Sequence, residues 1–284
     1  MRRASTGTLI LLFLTVITSY AVAAPTVVIS NSGTINRLYF DSVVIIAMEN
    51  QLYSGVIGSS AAPYINSLLP QSATIPKDHG GFPGSSESDY VALWSGDTYG
   101  SSNGVRNINA PTIIDLLEPR GLTWRAYWET GTGQRLDHWP PGLFTTITGN
   151  PARAARAVTA SPNAPELVAE LNSPNASNFI WFTPTDLHNM HDNSVSSGDM
   201  YLQGLVGQIL VSTTFKTKRC LLILWWDEYD PAPDLFSGST VRGGLISVNS
   251  YDHYSMLKLL EVGWNLGNLG KNDLTAQPMT EIIR

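Results

Sequence analysis

A few short stretches of the chain carry side chains able to hold a cation and move a phosphoryl group. Glu49-Asn50 joins a carboxylate to an amide, and Asp227-Glu228 joins two carboxylates. The run Thr183-Pro184-Thr185-Asp186-Leu187-His188-Asn189-Met190-His191-Asp192 adds acids and two imidazoles, and Asp252-His253 adds another. Hard oxygen donors in that number suit a divalent cation, which would serve phosphoryl transfer as Lewis acid and template. A hydroxyl nucleophile is offered by Gly84-Ser85-Ser86-Glu87-Ser88-Asp89-Tyr90, just before the apolar run Val91 to Trp94 and the helix stop Ser95-Gly96. That pattern predicts Ser86 at a helix N-terminus, where the dipole and free N–H groups favour an anion and a developing alkoxide. Each residue also has an ordinary use. Ser86 reads as an N-cap, both acidic pairs as caps or solvated turns, and His253 as a histidine preceding a helix. His188-x-x-His191 has the spacing of a zinc pair, although such pairs are usually borne on helices with a third ligand nearby.

The elements that must position these groups are legible from hydrophobic patterning. Ser42 to Met48 is continuous and β-branched, as a strand buried on both faces should be. Thr123 to Trp128, Asn178 to Phe182, Cys220 to Trp226 and Leu245 to Val248 read the same way. Helical patterns lie between them at 62–69, 111–117, 164–171, 200–211 and 254–262. Alternation of this kind predicts an α/β three-layer sandwich, with a mostly parallel central sheet covered by helices on both faces. Ligands in such folds bind beyond the carboxyl ends of the strands. Glu49-Asn50, Thr183 to Asp192 and Asp227-Glu228 each follow directly after a predicted strand. Their joint occurrence at one edge of a sheet singles them out.

Composition excludes several classes. Of 284 residues, 43% are hydrophobic, too many for a disordered chain. With 17 Lys and Arg against 23 Asp and Glu the net charge is −6, the wrong sign for a general nucleic-acid binder. One cysteine, Cys220, rules out an intrachain disulfide or a Cys-rich zinc site, and its apolar surroundings make it a core residue. Residues 1–24 read as a secretory signal peptide: Arg2-Arg3, the apolar run Leu9 to Val16, then Ala21-Val22-Ala23-Ala24. No later stretch reaches transmembrane length. The expected product is a secreted or extracytoplasmic protein, 25–284 forming one catalytic domain, with Asn175-Ala176-Ser177 as a glycosylation sequon. No Walker loop, G-x-G-x-x-G or H-E-x-x-H motif is present.

From about Asp41 to Glu261 the chain resembles the secreted phosphoesterases that include acid phosphatases and bacterial phospholipases C. The resemblance rests on Val43 to Asn50, Ala62 to Leu68, Ser86 to Gly96, Phe182 to Asp192 with Trp226-Asp227-Glu228, and Asp252 to Ser255, in that order. It implies an alkaline-phosphatase-like fold and hydrolysis of phosphate esters through a phosphoserine. It implies further that Glu49, Asn50, Asp227 and Glu228, with Ser86 Oγ, hold one divalent ion, with Zn, Ca and Mg all open. Ser86 would attack phosphorus. His191 and His253 would bind phosphoryl oxygens or protonate the leaving group, and His138 in Asp137-His138-Trp139-Pro140 would line the pocket. Glu261 falls at the family's later acidic position.

The sequence departs from the family pattern in three places. Gly84-Ser85 replaces a His-Pro before the serine, Ser88-Asp89 replaces a Pro-Asn after it, and Asn189 replaces an Asp two residues before His191. The first change leaves Ser85 and Ser86 as alternative nucleophiles; the last removes a carboxylate that would orient His191. The expected substrate is a small-molecule or lipid phosphate ester. Trp124, Trp128, Trp139, Trp225 and Trp226 either line an apolar pocket for it or pack in the core. A phospholipase C-type phosphodiesterase, an inactive binding protein on the same fold and a zinc hydrolase built on His188 and His191 are the competing readings.

Overall fold

The structure, a computed structural model, describes residues 28–29, 39–104 and 107–284. The expected signal peptide lies outside these residues. No helix among them is long and apolar enough to cross a membrane.

Eight strands form the main sheet: β1 (Ser42–Met48), β2 (Ala73–Thr74), β3 (Trp124–Glu129), β4 (Ala157–Ala160), β5 (Phe179–Thr183), β6 (Cys220–Trp226), β7 (Leu235–Ser237) and β8 (Leu245–Ile246). Their order across the sheet is β8-β2-β7-β6-β1-β5-β3-β4. Every pairing is parallel except those of β7, which runs against both β6 and β2. The sheet is thus mostly parallel, as alternating strands and helices require. β1 and β6 coincide with the expected segments. The expected strand over 245–248 is only two residues long, and β2, β4 and β7 carried no strand pattern in the sequence.

Both faces of β1 are buried, which its unbroken apolar run demands. Val43, Ile45 and Ala47 pack on one side with helices α1 (Ser86–Ser95) and α3 (His253–Gly263). Val44, Ile46 and Met48 pack on the other with Leu202 and Leu205 of α2 (Val195–Leu210) and with the 63–68 and 165–171 helices. Helix α2 begins earlier than its hydrophobic pattern suggests, because the Ser194 side chain accepts from the Ser197 N–H and caps it.

The tryptophans belong to this core. Trp124, Trp225 and Trp226 are almost fully buried, Trp139 nearly so, and the half-buried Trp128 stacks on Trp139 with centroids 5.4 Å apart. Cys220 is buried, and burial pushes its thiol up to about 12, so it is inert at neutral pH.

Candidate active site

The register of the two central strands builds the site. Met48 pairs with Trp226, so the residues that follow, Glu49 and Asp227, emerge side by side. The Asn50 N–H donates to Asp227 Oδ1 at 3.3 Å, and the Glu49 N–H donates to the Asn189 carbonyl at 2.9 Å. The acids beyond β1 and β6 are thereby tied to the histidine loop beyond β5.

Ser86 is the first residue of α1, and its Oγ donates to Glu228 Oε1 at 2.6 Å. Its neighbour Ser85 presents a buried Oγ with no partner. Gly84 sits at φ +141, and a Cβ there would fall 2.8 Å from Ser88 Oγ and 2.9 Å from the Ser101 carbonyl. The turn into α1 therefore demands glycine, which accounts for the departure from the family's His-Pro. Three residues into the helix, Asp89 accepts from the Phe82 N–H at 2.9 Å. Asp89, Asp227 and Glu228 each offer an oxygen within 4.8 Å of the others. Glu49, His138 and His191 form a second such group.

The sequence pattern did not mark Tyr90 or Arg135 as members of the site, and offered Asp186 only as one acid of the run after β5. Tyr90 donates its hydroxyl to Glu49 Oε1. Its ring stacks nearly parallel on His138, with centroids 5.4 Å apart. His138, expected to line the pocket, is buried with Nδ1 3.1 Å from Asp186 Oδ1 and 3.3 Å from Glu49 Oε1. Arg135 ion-pairs with Asp137 and reaches His191 Nε2 with Nη1 at 3.4 Å. Its loop is held close because the Asp186 N–H donates to the Gly133 carbonyl at 2.8 Å; a Cβ on Gly133 would lie 3.1 Å from Asp186 Cβ.

The loss of an acid at Asn189 is made good locally. Asn189 Oδ1 accepts the His191 N–H at 2.9 Å, and His191 Nδ1 lies 2.7 Å from Asp192 Oδ1. His188 turns away to Glu129, with Nδ1 2.8 Å from Oε2, and its ring stacks on Tyr201. Among the described residues it joins none of the possible cation groups, which leaves the two-histidine zinc reading without its pair.

His253 differs from its expected role. The Trp225 indole N–H donates to its Nδ1 at 3.0 Å, and its Nε2 lies 2.6 Å from the Gly80 carbonyl and 2.7 Å from that of Asp227. Both ring nitrogens are used inside the fold, and burial lowers its pKa. In this arrangement neither nitrogen is left for a phosphoryl oxygen or a leaving group. Glu261 is buried beside Lys258 and Asp273, and it too stands outside the acidic groups.

Electrostatically the cluster is short of positive charge. Burial, then the neighbouring Asp227, holds the Glu49 carboxyl well above its ordinary range. Burial also raises Asp227. Asp89 is pushed up to about 10, by burial and then by Asp227. Burial opposes ionisation of Asp186 as well, but the His138 hydrogen bond and charge outweigh it and hold that carboxyl low. Glu49 Oε2, Asn50 Oδ1, Asp89 Oδ2, Asp227 Oδ2 and His138 Nε2 are all buried without a hydrogen-bond partner. Buried acceptors in that state are costly. An oxygen-rich set with one imidazole is the donor set a divalent cation would satisfy.

Residues 59–234 match the model of the Phosphoesterase family. The chain belongs to that family. The chain is a hydrolase acting on phosphoric ester bonds. It is 28% identical over 258 residues to a phosphatidylinositol-3-phosphatase of Mycobacterium tuberculosis, covering 86% of this chain and 83% of that one. It is 24% identical to a probable acid phosphatase of Kluyveromyces lactis, covering 82% of this chain and 60% of the yeast protein. The family's fold is also seen in solved structures. Murine ectonucleotide pyrophosphatase/phosphodiesterase 5 superposes with a TM-score of 0.63 at 8% identity, covering 86% of this chain and all of that one. An alkaline phosphatase superfamily protein from Vibrio parahaemolyticus gives 0.54 at 13%, covering 88% of this chain and 76% of that one.

Proposed function

We propose that this family member is a phosphomonoesterase that uses Ser86 as nucleophile and depends on a divalent cation. The observation that carries the reading is the Ser86 hydroxyl at the start of α1, 2.6 Å from Glu228 and beside buried, unpartnered carboxylate oxygens. The two relatives named above, both phosphatases, favour monoesters over diesters.

Glu49, Asn50, Asp227 and Glu228, with Ser86 Oγ, would hold the ion, and His138 and Asp89 stand close enough to join them. When bound, the ion would neutralise the carboxylates and the phosphoryl oxygens and favour the ionised serine. Glu228 holds the Ser86 proton in its hydrogen bond and is positioned to receive it. Oγ then bonds to phosphorus as the ester P–O bond breaks, while the N–H groups opening α1 face the anionic oxygens. The leaving alkoxide needs a proton. His191, part-exposed and paired through Nδ1 with Asp192, would supply it from Nε2 once that nitrogen leaves the Arg135 guanidinium 3.4 Å away. Water then cleaves the Oγ–P bond, releasing phosphate and restoring the serine. His253 acts as a positioning residue, since it clasps the carbonyl of Asp227. Removal of residues 1–24 as a signal peptide would release 25–284 as one extracytoplasmic catalytic domain.

The test is Ser86→Ala with an aryl phosphate, with and without chelator. Loss of turnover on the order of 10⁴-fold or more is expected, as for removal of other catalytic nucleophiles. Near-normal turnover, or full activity of the native protein after complete chelation, refutes the reading.

A further inference from the structure

Four of the nine large apolar side chains exposed among the described residues occupy one place in the fold. Leu52, Leu136, Leu187 and Tyr229 are 45%, 39%, 37% and 47% exposed. Each belongs to the loop leaving the carboxyl end of β1, β3, β5 or β6, and those four strands are consecutive in the sheet, in the order β6-β1-β5-β3. Leu136 follows Arg135, Leu187 follows Asp186 and Tyr229 follows Glu228, while Leu52 lies two residues past Asn50. Isolated exposed leucines need no explanation. One on each of the four loops that deliver Asn50, Arg135, Asp186 and Glu228 does.

The loops are laced together. Gln51 Nε2 donates to the Met190 carbonyl at 3.2 Å, and the Gly133 and Asn50 bonds described above join the remaining pairs. With strands about 4.8 Å apart, the four positions span about 15 Å across the mouth of the site. At the β1/β6 end a cavity of about 350 Å³ opens between Asn50, Gln51, Leu52, Ser54, Gly55 and Tyr229. It shares Asn50 with the site and adjoins Glu228, but no charged side chain lines it. Around the mouth, Asp192 and Asp230 are exposed carboxylates, at 55% and 59% of the side chain, each already paired with an imidazole at 2.7 Å, His191 and His79 respectively.

We propose that these four side chains form an apolar collar that binds the alcohol portion of the substrate, selecting phosphate esters of uncharged, predominantly hydrocarbon alcohols. The proposal deepens the phosphomonoesterase reading and rests on it for the position of the phosphoryl group. Leu52 and Tyr229 wall the cavity that receives the first carbons. Leu187 and Leu136 continue the surface across the β5 and β3 loops. Polyanionic leaving groups meet no cation in that cavity.

The test uses n-alkyl phosphates from ethyl to octyl, below their micellar concentrations, with the matching alkylphosphonates, whose C–P bond is not hydrolysed. Burial of each methylene should raise kcat/KM, and tighten phosphonate binding, by about two- to fourfold until the collar is filled. Leu52→Ser with Tyr229→Asn should flatten that slope. Both replacements suit the local backbone, since Leu52 is a helix N-cap and Tyr229 has φ 73. Ile246→Ser with Val248→Ser, exposed apolar positions at the far edge of the sheet, should leave the slope as it was. No dependence on chain length in the native protein, or an unaltered slope in the Leu52/Tyr229 variant, overturns the collar. If no ester is turned over yet the phosphonates bind with the expected slope, the collar stands and the phosphomonoesterase reading falls.

Discussion

Glu49 and Asp227 lie against one another at the ends of adjacent parallel strands because a single register, Met48 opposite Trp226, fixes both. Two buried acids so placed repel unless a proton or a cation lies between them. That one contact makes the protein's stability depend on what occupies the cluster.

Thermal stability should therefore rise with divalent cation concentration. A ligand at a hundred times its Kd stabilises the folded state by about 2.7 kcal/mol. Scanning calorimetry of chelated and cation-replenished protein reads this directly. An identical Tm in both, for each of Zn, Ca and Mg, would contradict a cation site. Asp227→Asn should diminish the response.

Ser85 and Ser86 are distinguished by where their hydroxyls lie. Ser86 Oγ meets Glu228, whereas Ser85 Oγ is buried and unpartnered. Ser85→Ala should keep kcat within about threefold and cost about 0.5–2 kcal/mol, as for removal of the N-cap side chain of a helix. A collapse of kcat with an intact circular dichroism spectrum would shift the nucleophile by one residue.

His253 should behave as a structural residue. His253→Ala strands the Trp225 indole N–H and two carbonyls, at about 1–3 kcal/mol for each group left unsatisfied. His253→Gln, whose amide nitrogen can reach the same carbonyls, should recover part of the loss in urea denaturation. Because burial holds the imidazole neutral, the acid limb of the pH–rate profile should survive in His253→Gln; its disappearance would restore a catalytic role.

A second buried acid pair, Asp78 and Asp234, should make the fold more stable in acid than at neutrality. The two carboxyls interact directly; burial raises Asp78 to about 6 and, with the charge of Asp78, raises Asp234 well above its ordinary value. Groups raised in the folded state bind more protons there than when unfolded. Their contribution is complete below about pH 4 and fades as pH climbs through 6 and beyond. Denaturant midpoints measured from pH 4.5 to 7.5 should fall less steeply for Asp234→Asn than for the native protein. Parallel curves would show that the pair is not linked to folding over this range.

Much of the architecture was legible because it depends on uninterrupted burial. Ser42–Met48 and Cys220–Trp226 could be bounded from apolar runs alone, and their carboxyl ends led to Glu49 and Asp227. Short strands such as Ala73–Thr74 and Leu235–Ser237 have too few residues to establish a period. The site was legible where polar residues directly follow such runs, and the structure gathers Glu49, Asn50, Ser86, Asp227 and Glu228 at one sheet edge. Tyr90 and Asp89 were given no role because they lie inside a helix whose pattern signals only packing. His253 was misjudged for a related reason: a sequence records that an imidazole is present, but not that an indole and two carbonyls have already claimed its nitrogens. His138 was reached only through the family resemblance, and Arg135 not at all, because both come from a loop whose approach depends on the close contact at Gly133.

The link from β6 to β7 has a further consequence. It runs over residues 227–234, is closed by the Trp226 N–H donating to Asp234 Oδ1 at 2.7 Å, and enters the same sheet from which it left. Asp227 and Glu228 thus ride a bridge with both abutments embedded in the sheet. Such a span has little freedom to swing between one turnover and the next. Reshaping specificity in this scaffold falls to side-chain exchange along the bridge, where Tyr229 and Asp230 are the exposed positions.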